Sequence, residues 1–65
     1  MPRYPHVSVR LVGEDGNAFA ILGRVQRAMK TAGLPPEEIE AFRAEATAGN
    51  YDALLVTVIR WVDVE

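Results

Sequence analysis

A short acidic segment bounded by glycines, Gly13-Glu14-Asp15-Gly16-Asn17, holds the densest set of side chains that could bind a ligand. It separates an alternating apolar segment from a helical pattern, a position at which phosphate-binding loops occur. Its spacing matches neither the dinucleotide fingerprint nor the Walker pattern, and Glu14 and Asp15 would repel a phosphate. Counting from Asp15, the position of the closing glutamate of an EF-hand is occupied by Gln26. We therefore expect a turn and a helix N-cap here.

The residues that commonly form catalytic or metal sites are scarce. His6 is the single histidine, and the chain has no cysteine to share a transition metal with it. Ser8, the sole serine, lies two positions away on the same predicted strand, which does not give the hydrogen-bond geometry of a catalytic triad. The glutamates near Glu37 fit the positive end of a helix dipole. The sequence predicts no catalytic residue, no metal site and no cofactor, and so no enzyme.

Three basic residues at helical spacing, Arg24, Arg27 and Lys30, are the strongest indication of nucleic-acid binding. Against it, the formal net charge is −2 and a row of charges on a helix is more often a solvated face. A small nucleic-acid-binding regulator that uses this basic face is therefore the alternative function.

His6 and Ser8 lie on a predicted strand. Val7, Val9 and Leu11 alternate with polar side chains, which predicts a half-buried strand over residues 6–12. A lone strand leaves its backbone donors and acceptors unpaired. We expect either a short C-terminal strand at 61–64 or the same strand of a second copy to pair with it.

Three apolar stripes predict three helices, at residues 17–32, 36–48 and 51–60. Gly33 stands where a left-handed residue ends the first helix, with Leu34 placed to fold back on its last turn. The third segment is rich in β-branched residues, so its end could be extended instead. The chain is predicted to be one domain, residues 1–65, with a helix-dominated α+β fold.

The first helix has more apolar and small surface than one buried stripe needs. Gly23 inside a helix costs about 1 kcal/mol relative to alanine, which suggests that something packs close to its backbone. Phe19 and Ala20 widen the same surface. Either the third helix buries this second face, or the face is a contact surface for a partner.

Size favours association. A chain of 65 residues with no disulfide buries only about 60% of its unfolded surface, and such chains often gain burial from a partner subunit. We expect a non-enzymatic protein-interaction domain that forms a homodimer, with another protein as the alternative partner. The candidate contact residues are Val7, Val9, Leu11, Phe19, Ala20 and Gly23. No uninterrupted apolar segment approaches about 18 residues and no secretory signal is recognisable, so we expect a cytoplasmic protein without a membrane partner.

Several segments together resemble a group of short bacterial hypothetical proteins of plasmids and other mobile elements. The segments are Gly13–Phe19, Ala32-Gly33, Glu37-Glu38-Ile39, Glu45-Ala46, Gly49–Asp52 and Trp61-Val62. The resemblance implies a bacterial cytoplasmic protein. The group has no assigned activity, so the resemblance assigns no functional residue.

Overall fold

A strand begins the chain, three helices follow, and a second strand ends it. The computed structural model describes residues 2–11 and 16–65. Its elements are strand β1 (Tyr4–Val9), helices α1 (Ala18–Thr31), α2 (Pro36–Ala46) and α3 (Tyr51–Trp61), and strand β2 (Val62–Val64). The predicted helix-dominated α+β class is confirmed, and so are its three helices. The acidic segment 13–15 lies outside the described residues.

Asparagine side chains start two of the helices. The Asn17 side-chain oxygen accepts a hydrogen bond from the Phe19 N–H at 2.8 Å. Asn50 accepts from the Ala53 N–H at 2.9 Å. Each bond satisfies a donor that has no partner inside the helix. The first turns of α1 and α3 are therefore specified locally by the sequence.

Gly33 ends α1 as predicted, with a φ of 86°. Its N–H donates to the Lys30 carbonyl at 3.0 Å, and the Leu34 N–H donates to the Met29 carbonyl at 3.1 Å. These two bonds form a Schellman motif, which satisfies the last carbonyls of the helix. The motif turns the chain directly into α2 and sets Leu34 between the two helices.

The two strands pair in parallel, so β1 finds its partner inside the chain. Tyr4 is opposite Val62 and Val9 is opposite Val64, with an irregular register between Tyr4 and Ser8. The ladder is extended by the Glu65 N–H, which donates to the Val9 carbonyl at 2.8 Å. Of the two expected pairings, the one within a single chain is present.

The strand boundaries differ from the prediction of 6–12, because β1 begins at Tyr4 and ends at Val9. Alternation marks which residues face the core, whereas the length of a strand depends on its partner. β2 has only three residues, and the pairing ends with them at Val9. Leu11 follows the pattern but lies beyond the ladder.

The observed helix boundaries near the junction between α2 and α3 also differ from the predicted ones. α2 ends at Ala46 rather than at residue 48, and the Thr47 hydroxyl donates to the Arg43 carbonyl at 2.8 Å. A Cβ on Gly49 would lie 2.9 Å from the Cβ of Ala53. Glycine therefore permits the close approach at which α3 begins. α3 continues to Trp61, one residue beyond the prediction, and β2 begins at Val62 rather than at residue 61.

The core lies between the three helices and one face of the sheet. Its largest fully buried side chains are Phe42, Met29, Val25, Val58 and Val62. α1, α2, α3 and β2 all contribute to that set, and β1 adds further buried valines. The core thus fixes the orientation of every element and decides which side of each helix remains outside.

Candidate functional site

The apolar side chains of β1 are part of the protein's own core. Val7 and Val9 are 2% and 3% exposed, and half-buried Leu11 packs against the same cluster. Their side chains are thus covered within the chain. What β1 can offer a partner is its backbone edge.

That edge is poorly suited to a second strand. Pro5 has no N–H to donate, and it lies in the part of β1 whose register with β2 is irregular. Proline and irregular register are features that natural edge strands use to discourage further pairing. The sheet edge is therefore the weaker of the two predicted contact surfaces.

Phe19, Ala20 and Gly23 lie on the side of α1 opposite the core, and we call them the α1 outer face. The Phe19 side chain is 84% exposed, an unusual environment for a large apolar residue. A Cβ on Gly23 would meet no atom within 4 Å. The third helix therefore does not cover Gly23, so the interpretation that α3 buries this second face is wrong.

Two of the predicted basic residues, Arg27 and Lys30, are exposed on the same side of α1, and Arg24 is half-buried beside them. Between described residues, the ion pairs join other cations to acids: Arg3 to Glu38, Arg43 to Glu40 and Arg60 to Glu45. No described carboxylate lies within 4.0 Å of Arg27 or Lys30. Their charge is available to a partner.

Grooves run along both flanks of α1. The α1–β1 groove is lined by His6 and Ser8 on the strand and by Arg24 and Arg27 on the helix. The second, which we call the α1–α2 groove, has a volume of about 840 Å³. Its lining residues are Gly23, Gln26, Arg27, Lys30, Leu34, Pro36, Ile39 and Glu40.

Carboxylates border the basic residues. Glu40 lines the α1–α2 groove together with Arg27 and Lys30. On the other flank, the Ser8 hydroxyl lies 3.5 Å from Asp63. The surface around α1 is therefore mixed in charge rather than uniformly basic, which weighs against a long phosphate backbone as its ligand.

A polar network joins the start of β1 to α2 and α3, and no sequence pattern predicted it. The Arg3 guanidinium lies 4.6 Å from the centroid of the Trp61 ring and 3.0 Å from Glu38. The Tyr4 hydroxyl donates to Glu38, and the Trp61 indole N–H donates to Glu45 at 2.9 Å. We call these five residues the Trp61 cluster.

The Trp61 cluster is a structural contact. Its polar atoms bond to one another, and the Glu38 hydrogen bond raises the pKa of the Tyr4 hydroxyl above its usual value. Tyr4 and Glu38 are 34 positions apart. No local spacing could have revealed the pair, although Arg, Tyr and Trp are common in such contacts.

Other kinds of site find little support in residues 2–11 and 16–65. That part of the chain contains no group of three or more acidic or histidine side chains able to hold a metal ion. Its helices are all too short or too polar to cross a membrane. No known protein family, curated protein or solved structure matches the chain.

Proposed function

We propose that this chain is a small protein-interaction domain whose partner is a second copy of itself, bound at the α1 outer face. The observation that carries the proposal is the 84% exposure of Phe19 beside the uncovered Gly23. Burying a phenylalanine side chain contributes about 2 kcal/mol, and small residues allow helices to approach to about 8 Å. The face thus combines an anchor with room for a second helix.

The spacing along α1 favours a second copy over an unrelated helix. Phe19 and Arg27 lie four positions before and four positions after Gly23. If two α1 helices cross antiparallel at Gly23, the two-fold axis brings Phe19 of each copy beside Arg27 of the other. An arginine over an aromatic ring adds about 0.5–1 kcal/mol at an exposed site. Arg27 can make this contact because no described carboxylate lies within 4.0 Å of it.

The replacement Phe19→Ser tests this proposal. It removes the anchor without touching the core, so we expect the dimer to dissociate at least about tenfold more easily, as truncating an interface anchor does. Sedimentation equilibrium over micromolar to millimolar protein measures the change.

Ile59→Ser is the matched control, because Ile59 is a large apolar residue on α3 with 61% exposure. We expect it to leave the dimer unchanged. A wild-type chain that stays monomeric throughout, or a dimer that Phe19→Ser leaves intact, would contradict the proposal.

Duplex DNA is the second candidate partner, favoured by Arg27 and Lys30, which have no carboxylate of residues 2–11 and 16–65 within 4.0 Å. Two phosphate contacts, from Arg27 and Lys30, would give a log–log salt slope of about −1.8 for the association constant. Arg27→Ala should weaken binding and make that slope shallower by about 1. Fluorescence anisotropy with a labelled duplex measures both quantities. The absence of any binding at low salt would remove this candidate.

The remaining expectations about function stay predictions. They are a non-enzymatic role and a location in the bacterial cytoplasm. The first follows from the lack of a catalytic constellation in the sequence, and the second from its composition and its resemblance to short bacterial proteins.

A further inference from the structure

We infer that the α1–α2 groove is a second binding site, for one face of a short acidic amphipathic helix of another protein. This site goes beyond self-association, and because it shares Gly23 and Arg27 with the α1 outer face, a second copy and the helix would compete for that end of the groove. Its distinguishing features are an apolar floor, an open end and a wall that carries Arg27 and Lys30.

The floor is made by α2 and the turn that precedes it. Leu34 and Ile39 are half-buried, with one part of each side chain against the core and the rest in the groove beside Pro36. The groove volume of about 840 Å³ falls within the usual range of about 300–1,000 Å³ for binding pockets. It has room for two apolar side chains spaced by one helical turn.

Gly23 leaves one end of the groove open. It lines the groove but has no side chain, and a Cβ there would meet no atom within 4 Å. A large side chain at this position would extend into space that belongs to the groove. In a single chain, none of the described residues obstructs a helix that enters from this end.

Charge selects an acidic partner. Arg27 and Lys30 line the α1 wall with no described carboxylate within 4.0 Å. Glu40, on the α2 wall, lies 3.7 Å from Arg43 of its own helix, so its charge is partly compensated. The groove is therefore locally positive although the whole chain carries −2. Charges within about 8 Å dominate such recognition at physiological salt.

The apolar floor favours a peptide over a nucleic acid. Burying Leu34, Pro36 and Ile39 requires apolar side chains on the partner. A peptide has such side chains, whereas a phosphate backbone does not. The walls are also set before binding, because α1 and α2 pack on one core that buries Met29 and Phe42 completely. A preformed groove lowers the ordering cost of binding.

The probe is a fluorescein-labelled peptide of about 15 residues with two leucines four positions apart on one face and glutamates on both flanks. Fluorescence anisotropy measures its affinity for the full chain. Lys30→Glu should weaken binding at least about tenfold. Arg10→Glu, which changes an exposed cation outside the groove, should change it by less than about twofold. Equal effects of the two variants, or no wild-type binding at about 1 mM peptide, would overturn the inference.

Two further comparisons separate shape from charge. A peptide with both leucines replaced by serine keeps its charge and should lose at least about tenfold in affinity. Gly23→Leu should weaken binding of the original peptide similarly, while circular dichroism shows an unchanged or higher Tm. If the serine peptide or a charge-matched DNA duplex binds as tightly as the leucine peptide, the inference is wrong.

Failure of this inference is distinguishable from failure of the proposed dimer. Phe19→Ser lies outside the α1–α2 groove and should bind the peptide at least as tightly as the wild type does. Lys30→Glu, in turn, should leave sedimentation unchanged. Gly23 and Arg27 border both surfaces, so Gly23→Leu is assayed only for peptide binding and Arg27 is left intact in both tests.

Discussion

Gly23 and Gly33 show how differently the same residue type can act in one helix region. Gly33 has a positive φ of 86° and closes α1 through two hydrogen bonds. Gly23 lies inside the helix, where nothing within 4 Å requires the absence of a Cβ. The first glycine supports the fold by its conformation. The second lowers helix stability and leaves a space that a partner can use.

Alanine replacements should therefore have opposite effects at these two positions. Gly23→Ala should raise the free energy of unfolding by about 1 kcal/mol, since alanine is the better helix former and meets no clash. Gly33→Ala should lower it by about 1–2 kcal/mol, since a Cβ is strained in the left-handed conformation. Urea denaturation followed by circular dichroism measures both changes. A destabilised Gly23→Ala chain would show that Gly23 is packed closely after all.

At the scale of elements, the Trp61 cluster explains how a six-residue strand and a three-residue strand remain in place. Parallel pairs this short are weak by themselves. Arg3 and Tyr4 anchor the start of β1 to Glu38 of α2 and to Trp61 of α3. The Arg3 N–H also donates to the Arg60 carbonyl at 2.8 Å, which joins the strand to the end of α3. Side-chain contacts from two helices thus support the sheet.

This anchoring predicts a loss of stability at alkaline pH. The hydrogen bond to Glu38 raises the pKa of Tyr4 in the folded chain above the unfolded value of 10.0. The folded state then holds this proton more tightly than the unfolded state does. The stabilising contribution is complete below pH 10 and is lost as the pH rises through the folded pKa. Urea denaturation from pH 8 to pH 11 would measure the decline.

Tyrosine variants provide the controls for the pH dependence. Tyr4→Phe should abolish this part of it, because the titrating hydroxyl is gone. Tyr51→Phe removes a different bond, the 2.5 Å donation to the Gly16 carbonyl, and should retain the Tyr4 decline. If Tyr4→Phe loses stability above pH 10 as steeply as the wild type, the assignment to Tyr4 is wrong.

At the scale of the whole molecule, the surface area bears on why the chain would associate. The accessible surface is 4246 Å², and a monomeric protein of 7.2 kDa has about 4,100 Å². The core is thus as complete as that of an ordinary monomer of this size. The association that we propose adds contacts at the α1 outer face rather than completing the core, so we expect it to be reversible and dependent on concentration.

The parts of the structure that could be predicted are those specified by near neighbours. Asn17 and Asn50 cap their helices, and Gly33 ends α1, through bonds to residues at most five positions away. The limits of β1 could not be read in this way, because they depend on its pairing with β2 at the far end of the chain. The predicted contact residues were divided by the fold: Val7 and Val9 entered the core, while Phe19 remained outside.

The amino-acid sequence by itself determined the helices, their caps and the apolar face of each element, because those depend on bonds and spacings within a few residues. Only the tertiary structure decided the parallel pairing of β1 with β2, the Trp61 cluster and the exposure of the α1 outer face. Hydrophobic burial acts without direction, so a pattern shows which side of a helix is apolar but not which neighbour covers it. That neighbour is chosen by how all the elements pack together, and among the described residues none covers Phe19 or Gly23.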